Sequence, residues 1–290
     1  MNRSRAIKGI VISLSIAALV LFLGSSESVT VGGVPLFLLC GAVIFAIHWV
    51  VFVPSFIFRT EHYFDVTGSI CYVSTVIFAW NMNPERGERS LLLGALVILW
   101  AVRLGSFLFW RVKKRGMDDR FERLKNDFLS FLMVWTLSGL WVMLTAATVF
   151  AALTTGTNQG LDGFAYAGLL VWGIGMLIEI VADSQKTRFR SNPLNRNKFI
   201  TEGLWSLSRH PNYFGEIVLW FGMALIAFPT LQGLQMAVLV SPFFVWFLLT
   251  KVSGVPFLER KAQEKWGDDE DYVAYEKRTH ALIPWPKKST

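Results

Sequence analysis

Two polar segments of this chain carry residue types at spacings that could do chemistry. In the first, Asp183, Lys186 and Arg190 lie three and four residues apart, so on a helix they share one face. Such a face can offer a carboxylate to ribose hydroxyls or to an amide. It can also offer cations to phosphates, Arg190 through its planar fork of donors. The plainer reading is a positive membrane flank whose long side chains snorkel. The second segment is Ser208-Arg-His-Pro-Asn-Tyr-Phe-Gly-Glu216. Ser208 or Asn212 can cap a helix that begins near Pro211, since proline is favoured in a first turn. The N–H groups of that turn then make an anion site beside Arg209, His210, Asn212 and Tyr213. Glu216, an acid about one turn inside, needs a partner: Arg209, His210 or a ligand amide. The alternative is a cap and salt bridge with no ligand.

Smaller clusters lie nearer the N-terminus. Arg103 sits in the apolar run Trp100-Ala-Val-Arg-Leu-Gly105, where an arginine needs a carboxylate, a phosphate or a carbonyl. Glu61, His62, Tyr63 and Asp65 follow another apolar run. Asp65 can cap the next helix, while Glu61 and Tyr63 can hydrogen-bond a carbonyl arriving from the bilayer. No HxxxH or HExxH spacing points to a metal. Gly173-Ile-Gly175 lacks the strand–turn–helix context of a dinucleotide fingerprint, so any nucleotide is held by helices and loops. Cys40 and Cys71 lie in apolar runs and read as small buried hydrophobes.

The elements that must position these residues are membrane spans. The chain of 290 residues is 53% hydrophobic and 17% charged, against about 25% charged in soluble domains. Candidate spans fall at 9–24, 34–58, 66–80, 91–110, 128–153, 163–182, 213–229 and 234–250, the third and seventh being short. Basic residues concentrate at the N-terminus, at 111–127, at 183–212 and in the tail from Lys251. With eight spans these all fall on one side, which the positive-inside rule makes cytoplasmic, with both termini there. The net charge of +7 then needs no nucleic-acid partner. Beyond Ser253-Gly-Val-Pro256 the tail reads as an interfacial amphipathic helix interrupted at Gly267-Asp-Asp. The fold class is therefore all-α: a polytopic transmembrane helical bundle of seven to eight spans, with an interfacial C-terminal helix and a cytosol-facing cofactor cavity. Residues 1–290 form one domain, in which 1–127 face the lipid substrate and 128–290 carry the cofactor site.

Gly203-Leu-Trp, then Ser208 to Glu216, then Ile283-Pro-Trp near the end, resemble the steroid 5-alpha-reductase superfamily, and most nearly its bacterial DUF1295 branch. Asp118-Asp-Arg-Phe121 fits that branch as well. The resemblance implies a reductase of the bacterial inner membrane. It would reduce a carbon–carbon double bond conjugated to a ketone in a steroid-like or other lipophilic substrate, with NADPH as donor. It also implies that Asp183 and Arg190 bind cofactor, that Asn212 and Glu216 lie near the nicotinamide, and that Tyr272 closes over it. Arg103 belongs to the pocket, and Glu61 meets the ketone. Where steroid reductases carry a tyrosine three residues before that arginine, this chain has Trp100, and Tyr63 is the substitute acid. Two other classes share features. Membrane methyltransferases that use S-adenosylmethionine carry a similar Arg-His-Pro-x-Tyr motif, and a non-catalytic lipid carrier would need only the spans.

Overall fold

A computed structural model describes residues 3–115, 121, 122, 124–157 and 159–286, with backbone alone at 111–115. Arg120, Arg123 and the run Asp118-Asp-Arg lie outside the described residues. The chain forms α1 (Arg3–Gly24), a hairpin of β1 (Thr30–Val31) and β2 (Val34–Pro35), α2 (Leu36–Ile57), α3 (Phe64–Met82), α4 (Glu88–Arg115), α5 (Phe128–Thr154) and α6 (Gly163–Ser191). It continues through α7 (Pro211–Ala227), α8 (Val240–Phe247), α9 (Gly254–Trp266) and α10 (Glu270–Arg278). Among the described residues, seven helices are long and apolar enough to cross a membrane. The chain is an all-α polytopic membrane protein within the expected range of spans. The third expected span, α3, has 19 residues but carries polar Thr67, Thr75 and Asn81 and is not among the seven.

The last spanning path differs from the expected stop near residue 250: it runs helically over Gly233–Trp266. Pro256 lacks an N–H but sits in the first turn of α9, where none is needed. A π-turn at Leu248–Val252 absorbs the offset, with Ser253 N donating to Leu248 O at 2.9 Å. The break expected at Gly267-Asp-Asp separates α9 from α10, and Asp269 caps α10 by accepting from Asp271 N and Tyr272 N.

Contacts divide the chain into two compact units: residues up to Ala165 with Ile226–Ser241, and Tyr166–Leu225 with the chain from Pro242 onward. In the first unit α5 is buried almost all round, as an evenly apolar helix rich in Ala and Thr must be. It packs against α1, α2, α3 and α4. His48 of α2 joins it: Nδ1 donates to Ile44 O (2.8 Å), which leaves Nε2 to accept from Ser138 Oγ (3.1 Å). Arg89, 2% exposed, gathers the far ends of this unit. It donates to Ile226 O (2.8 Å) and Gly160 O (2.7 Å) and pairs with Asp162 (2.9 Å). The end of α2 closes as a Schellman turn, with Arg59 N on Phe56 O and Thr60 N on Ser55 O. Arg59 takes the left-handed position (φ 49°) where glycine is usual. This turn delivers Glu61 and Tyr63.

In the second unit α6 buries a stripe of Gly168, Trp172, Gly175, Glu179 and Ala182, spaced three and four apart. Its opposite face leaves Leu170, Ile174 and Leu177 exposed, as a lipid-facing surface requires. Against the stripe, α7 runs antiparallel with its backbone very close. A Cβ on Gly215 would stand 2.6 Å from Gly175 O and 2.7 Å from Glu179 N, and one on Gly222 would stand 2.5 Å from Trp172 N. Backbone cannot yield as a flexible side chain can. Gly215→Ala is therefore expected to push the two helices apart and destabilise the protein by about 2–3 kcal/mol. Thermal unfolding in detergent should show a clearly lower midpoint, whereas Gly173→Ala, where a Cβ meets nothing within 4 Å, should leave it unchanged.

Candidate functional site

The contact of Gly215 with Glu179 fixes the level at which α6 leaves α7. One turn beyond, Asp183 is buried, and Lys186 projects over the ring of Trp205 with Nζ 4.2 Å from the centroid. Trp205 lies in the short turn Gly203–Ser206, which α6 itself holds. Leu204 N donates to Gln185 Oε1 (3.0 Å) and Trp205 Nε1 to Ala182 O (3.0 Å). Gly203 has φ +60°, and any Cβ there would collide with Gln185.

The chain from Ser208 onward meets the C-terminal tail. Arg209 N donates to His280 O (2.9 Å), and Ser208 Oγ donates to Leu282 O (2.7 Å). Tyr275, a neutral phenol whose pKa burial raises, donates to Trp205 O at 2.6 Å. At the centre is Glu259 of α9. Its carboxylate accepts from Arg209 Nε (3.0 Å) and Nη2 (2.8 Å) and from His210 Nε2 (2.6 Å). The remaining arm of Arg209, Nη1, donates to Glu276 O (3.1 Å) and Thr279 O (2.7 Å). His210 is buried and stacks parallel on Tyr213, centroids 5.8 Å apart. Tyr272, also buried, packs edge-on to Phe199.

The expected residues thus sort by unit. The second unit brings Lys186, Arg209, His210, Tyr213 and Tyr272 into one network around Trp205 and Glu259. Asp183 lies on α6 and Arg190, exposed, near its end, while Asn212 and Glu216, both half-buried, lie on α7. Arg209 gives N–H groups of Nε, Nη1 and Nη2 to the protein itself. Its partner is Glu259, fifty residues away in sequence (|i−j|=50), and of the three partners open to Glu216, which were Arg209, His210 or a ligand amide, Arg209 is taken by Glu259. In the first unit, Glu61 is buried and pairs with Lys125 at 3.0 Å. Tyr63 is exposed, and Arg103 lies 5.8 Å from the ring of Phe107 on its own helix. Trp100 is buried edge-on against Tyr72, 5.0 Å away.

Sequence reasoning missed Glu259 and Glu179. Glu179 had a local signal: it stands four residues before Asp183 inside an apolar run, where an acid is costly. Glu259 had none, since it is one of several charges on an amphipathic helix.

A family model described as "Protein of unknown function (DUF1295)" matches residues 51–279, and the chain belongs to that family. The chain is 32% identical over 172 residues to the probable O-methyltransferase ustE of Ustilaginoidea virens, covering 59% of this chain and 51% of that protein. It is 29% identical over 119 residues to the steroid 5-alpha-reductase DET2 of Gossypium hirsutum, covering 41% of each. The chain therefore spans about half the length, or less, of these curated relatives. No solved structure matches.

Two outcomes follow from the Glu259 centre. Glu259→Ala leaves a guanidinium and an imidazole without their carboxylate and should cost about 3 kcal/mol, read as a lower unfolding midpoint. The second concerns pH. Burial, opposed by the Glu259 carboxylate and assisted by Lys186 and Arg209, holds the His210 pKa below its ordinary 6.5. The unfolded chain binds that proton first. The attachment is thus at full strength above pH 6.5 and weakens as pH falls below it, until the folded imidazole also protonates. Amide exchange at residues 278–282 should accelerate over that window in wild type and not in His210→Gln.

Proposed function

We propose that the protein reduces a carbon–carbon double bond, conjugated to a ketone, in a steroid-like or other lipophilic substrate, with NADPH as the reductant. The observation that carries this reading is the corner where α6 outruns α7: Asp183 is buried, and one turn on the half-buried Lys186 lies over Trp205, whose turn the Tyr275 hydroxyl ties to α10, the helix that bears Tyr272. The donor set fits a phosphorylated dinucleotide. Lys186 and Arg190 are the cations for phosphates, now that Arg209 is engaged by Glu259. Asp183 is the acceptor for hydroxyls, Asn212, Tyr213 and Glu216 are the polar groups for the nicotinamide amide, and Tyr272 is the cover. His210 Nδ1, buried with no hydrogen-bond partner among the described residues, is a polar atom that a bound group can satisfy. NADPH, when bound, supplies hydride. The chain's part is to place the substrate and to put a donor on the ketone oxygen, an effect of about 3 kcal/mol on the barrier. Glu61, as the carboxylate of an ion pair, only accepts. The donor is therefore assigned to Tyr63 or to the Lys125 ammonium, with Arg103 as a further cation of the pocket.

A second reading, an S-adenosylmethionine-dependent membrane methyltransferase, is favoured by the 32% identity to a probable O-methyltransferase over 59% of the chain. The acids Glu179, Asp183 and Glu216 would suit a sulfonium cation, whereas Lys186 and Arg190 suit phosphates. In either case we take α3 as an eighth crossing, so that the basic loops and both termini share the cytoplasmic side of a bacterial inner membrane, where the protein meets membrane lipids and a lipophilic substrate.

Equilibrium binding in detergent separates the two. NADPH is expected to bind wild type, with about tenfold weaker binding in each of Asp183→Asn, Lys186→Ala and Glu216→Ala. Saturable S-adenosylmethionine binding without NADPH binding would replace the reductase by the methyltransferase.

A further inference from the structure

Glu259 does more to His210 than hold it. An ionised carboxylate only accepts hydrogen bonds, so at 2.6 Å the proton between them belongs to His210 Nε2. In the neutral imidazole this makes Nδ1 a lone-pair acceptor. That atom is buried and has no hydrogen-bond partner among the described residues, in a residue only 5% exposed. Thr279 Oγ1 is likewise buried without a partner, and the carbonyl of the same residue is held by Arg209, which grips the same carboxylate. Leaving such groups unmade is costly. The ring cannot turn to remedy it, because Nε2 is pinned and the face lies parallel on Tyr213 at 12°.

We propose that His210 Nδ1 accepts a hydrogen bond from a neutral donor of the bound nucleoside cofactor, a ribose hydroxyl or an amide or amine N–H. In this proposal Glu259 is a positioning residue that sets the accepting tautomer. The proposal rests on the reading that this unit holds a nucleoside cofactor, and not on which one. Arg209 then serves the cofactor indirectly: it orients Glu259 and joins the tail to the same carboxylate. A carboxylate behind an imidazole is a general device for fixing which ring nitrogen faces outward.

The test uses two substitutions that divide the ring between them. The glutamine amide reaches the place of Nε2 and keeps the bond to Glu259, but it loses the acceptor at Nδ1. The asparagine amide puts an oxygen near Nδ1 and loses the bond to Glu259. Binding of NADPH and of S-adenosylmethionine is measured on detergent-solubilised full-length wild type, His210→Gln and His210→Asn, with unfolding midpoints alongside. The expected result is that His210→Gln keeps the wild-type midpoint yet binds about tenfold more weakly. His210→Asn should lose stability but bind within about threefold of wild type. In protein labelled with 15N at histidine, the Nδ1 resonance missing from His210→Gln should shift on adding the cofactor. In Glu259→Gln, where an amide can donate as well as accept, the two ring tautomers should both be populated. If wild type binds either cofactor and His210→Gln binds equally well, the proposal is overturned while the cofactor reading stands. If wild type binds neither, the cofactor reading fails and the proposal fails with it.

Discussion

One carboxylate organises the polar half of this molecule. Glu259 receives hydrogen bonds from three nitrogens of two neighbouring residues, Arg209 and His210, which sit where the chain turns into α7. Because Arg209 also reaches back to Glu276 O and Thr279 O, the same carboxylate joins the start of α7, the helix α9 and the end of α10. Charge-assisted bonds of this kind are shorter and stronger than neutral ones. A half-buried setting makes the loss of any one of them costly, since the remaining charges keep their desolvation penalty. The tail beyond residue 278 is held by these bonds together with Arg209 N on His280 O and the Ser208 hydroxyl on Leu282 O.

The arrangement also divides the cations by task. Arg209, the residue best suited by geometry to grip a phosphate, is used as a structural fork. Lys186 lies on the face of Trp205, a contact that leaves an ammonium charged while restricting where it can point. Its charge acts on the imidazole of His210, which is 5% exposed. In that environment each remaining polar group counts for more than it would in water. The two relatives carry different activities in their names, one an O-methyltransferase and one a steroid 5-alpha-reductase.

Membrane packing explains why the corner can exist at all. Helices in a bilayer gain little from burying apolar surface against one another and associate through close contact of small residues. Gly175, Gly215 and Gly222 bring the backbones of α6 and α7 within reach, so that a side chain of any size would meet a carbonyl or an N–H. That proximity goes with the burial of Glu179 within an apolar span.

The amino-acid sequence alone determined the helical class and nearly all the spans, because a long apolar run in a bilayer must satisfy its own backbone and only a helix does so within one segment. It also located the break between α9 and α10, where glycine and two aspartates end one helix and cap the next. Arg209, His210 and the Asp183–Arg190 face were legible as an unusual density of charge, since local spacing was enough to see it. Tertiary structure alone decided who pairs with whom. The partner of Arg209 is Glu259 rather than the nearer Glu216, because the π-turn at Leu248–Val252 sets the direction that α9 takes after it. No spacing rule reports the direction of a helix after such an irregular turn. Glu61 pairing with Lys125, 64 residues away (|i−j|=64), is the same lesson. Ion pairs between distant segments are chosen by packing, which acts in three dimensions, and not by the periodicity that writes a helix into its sequence.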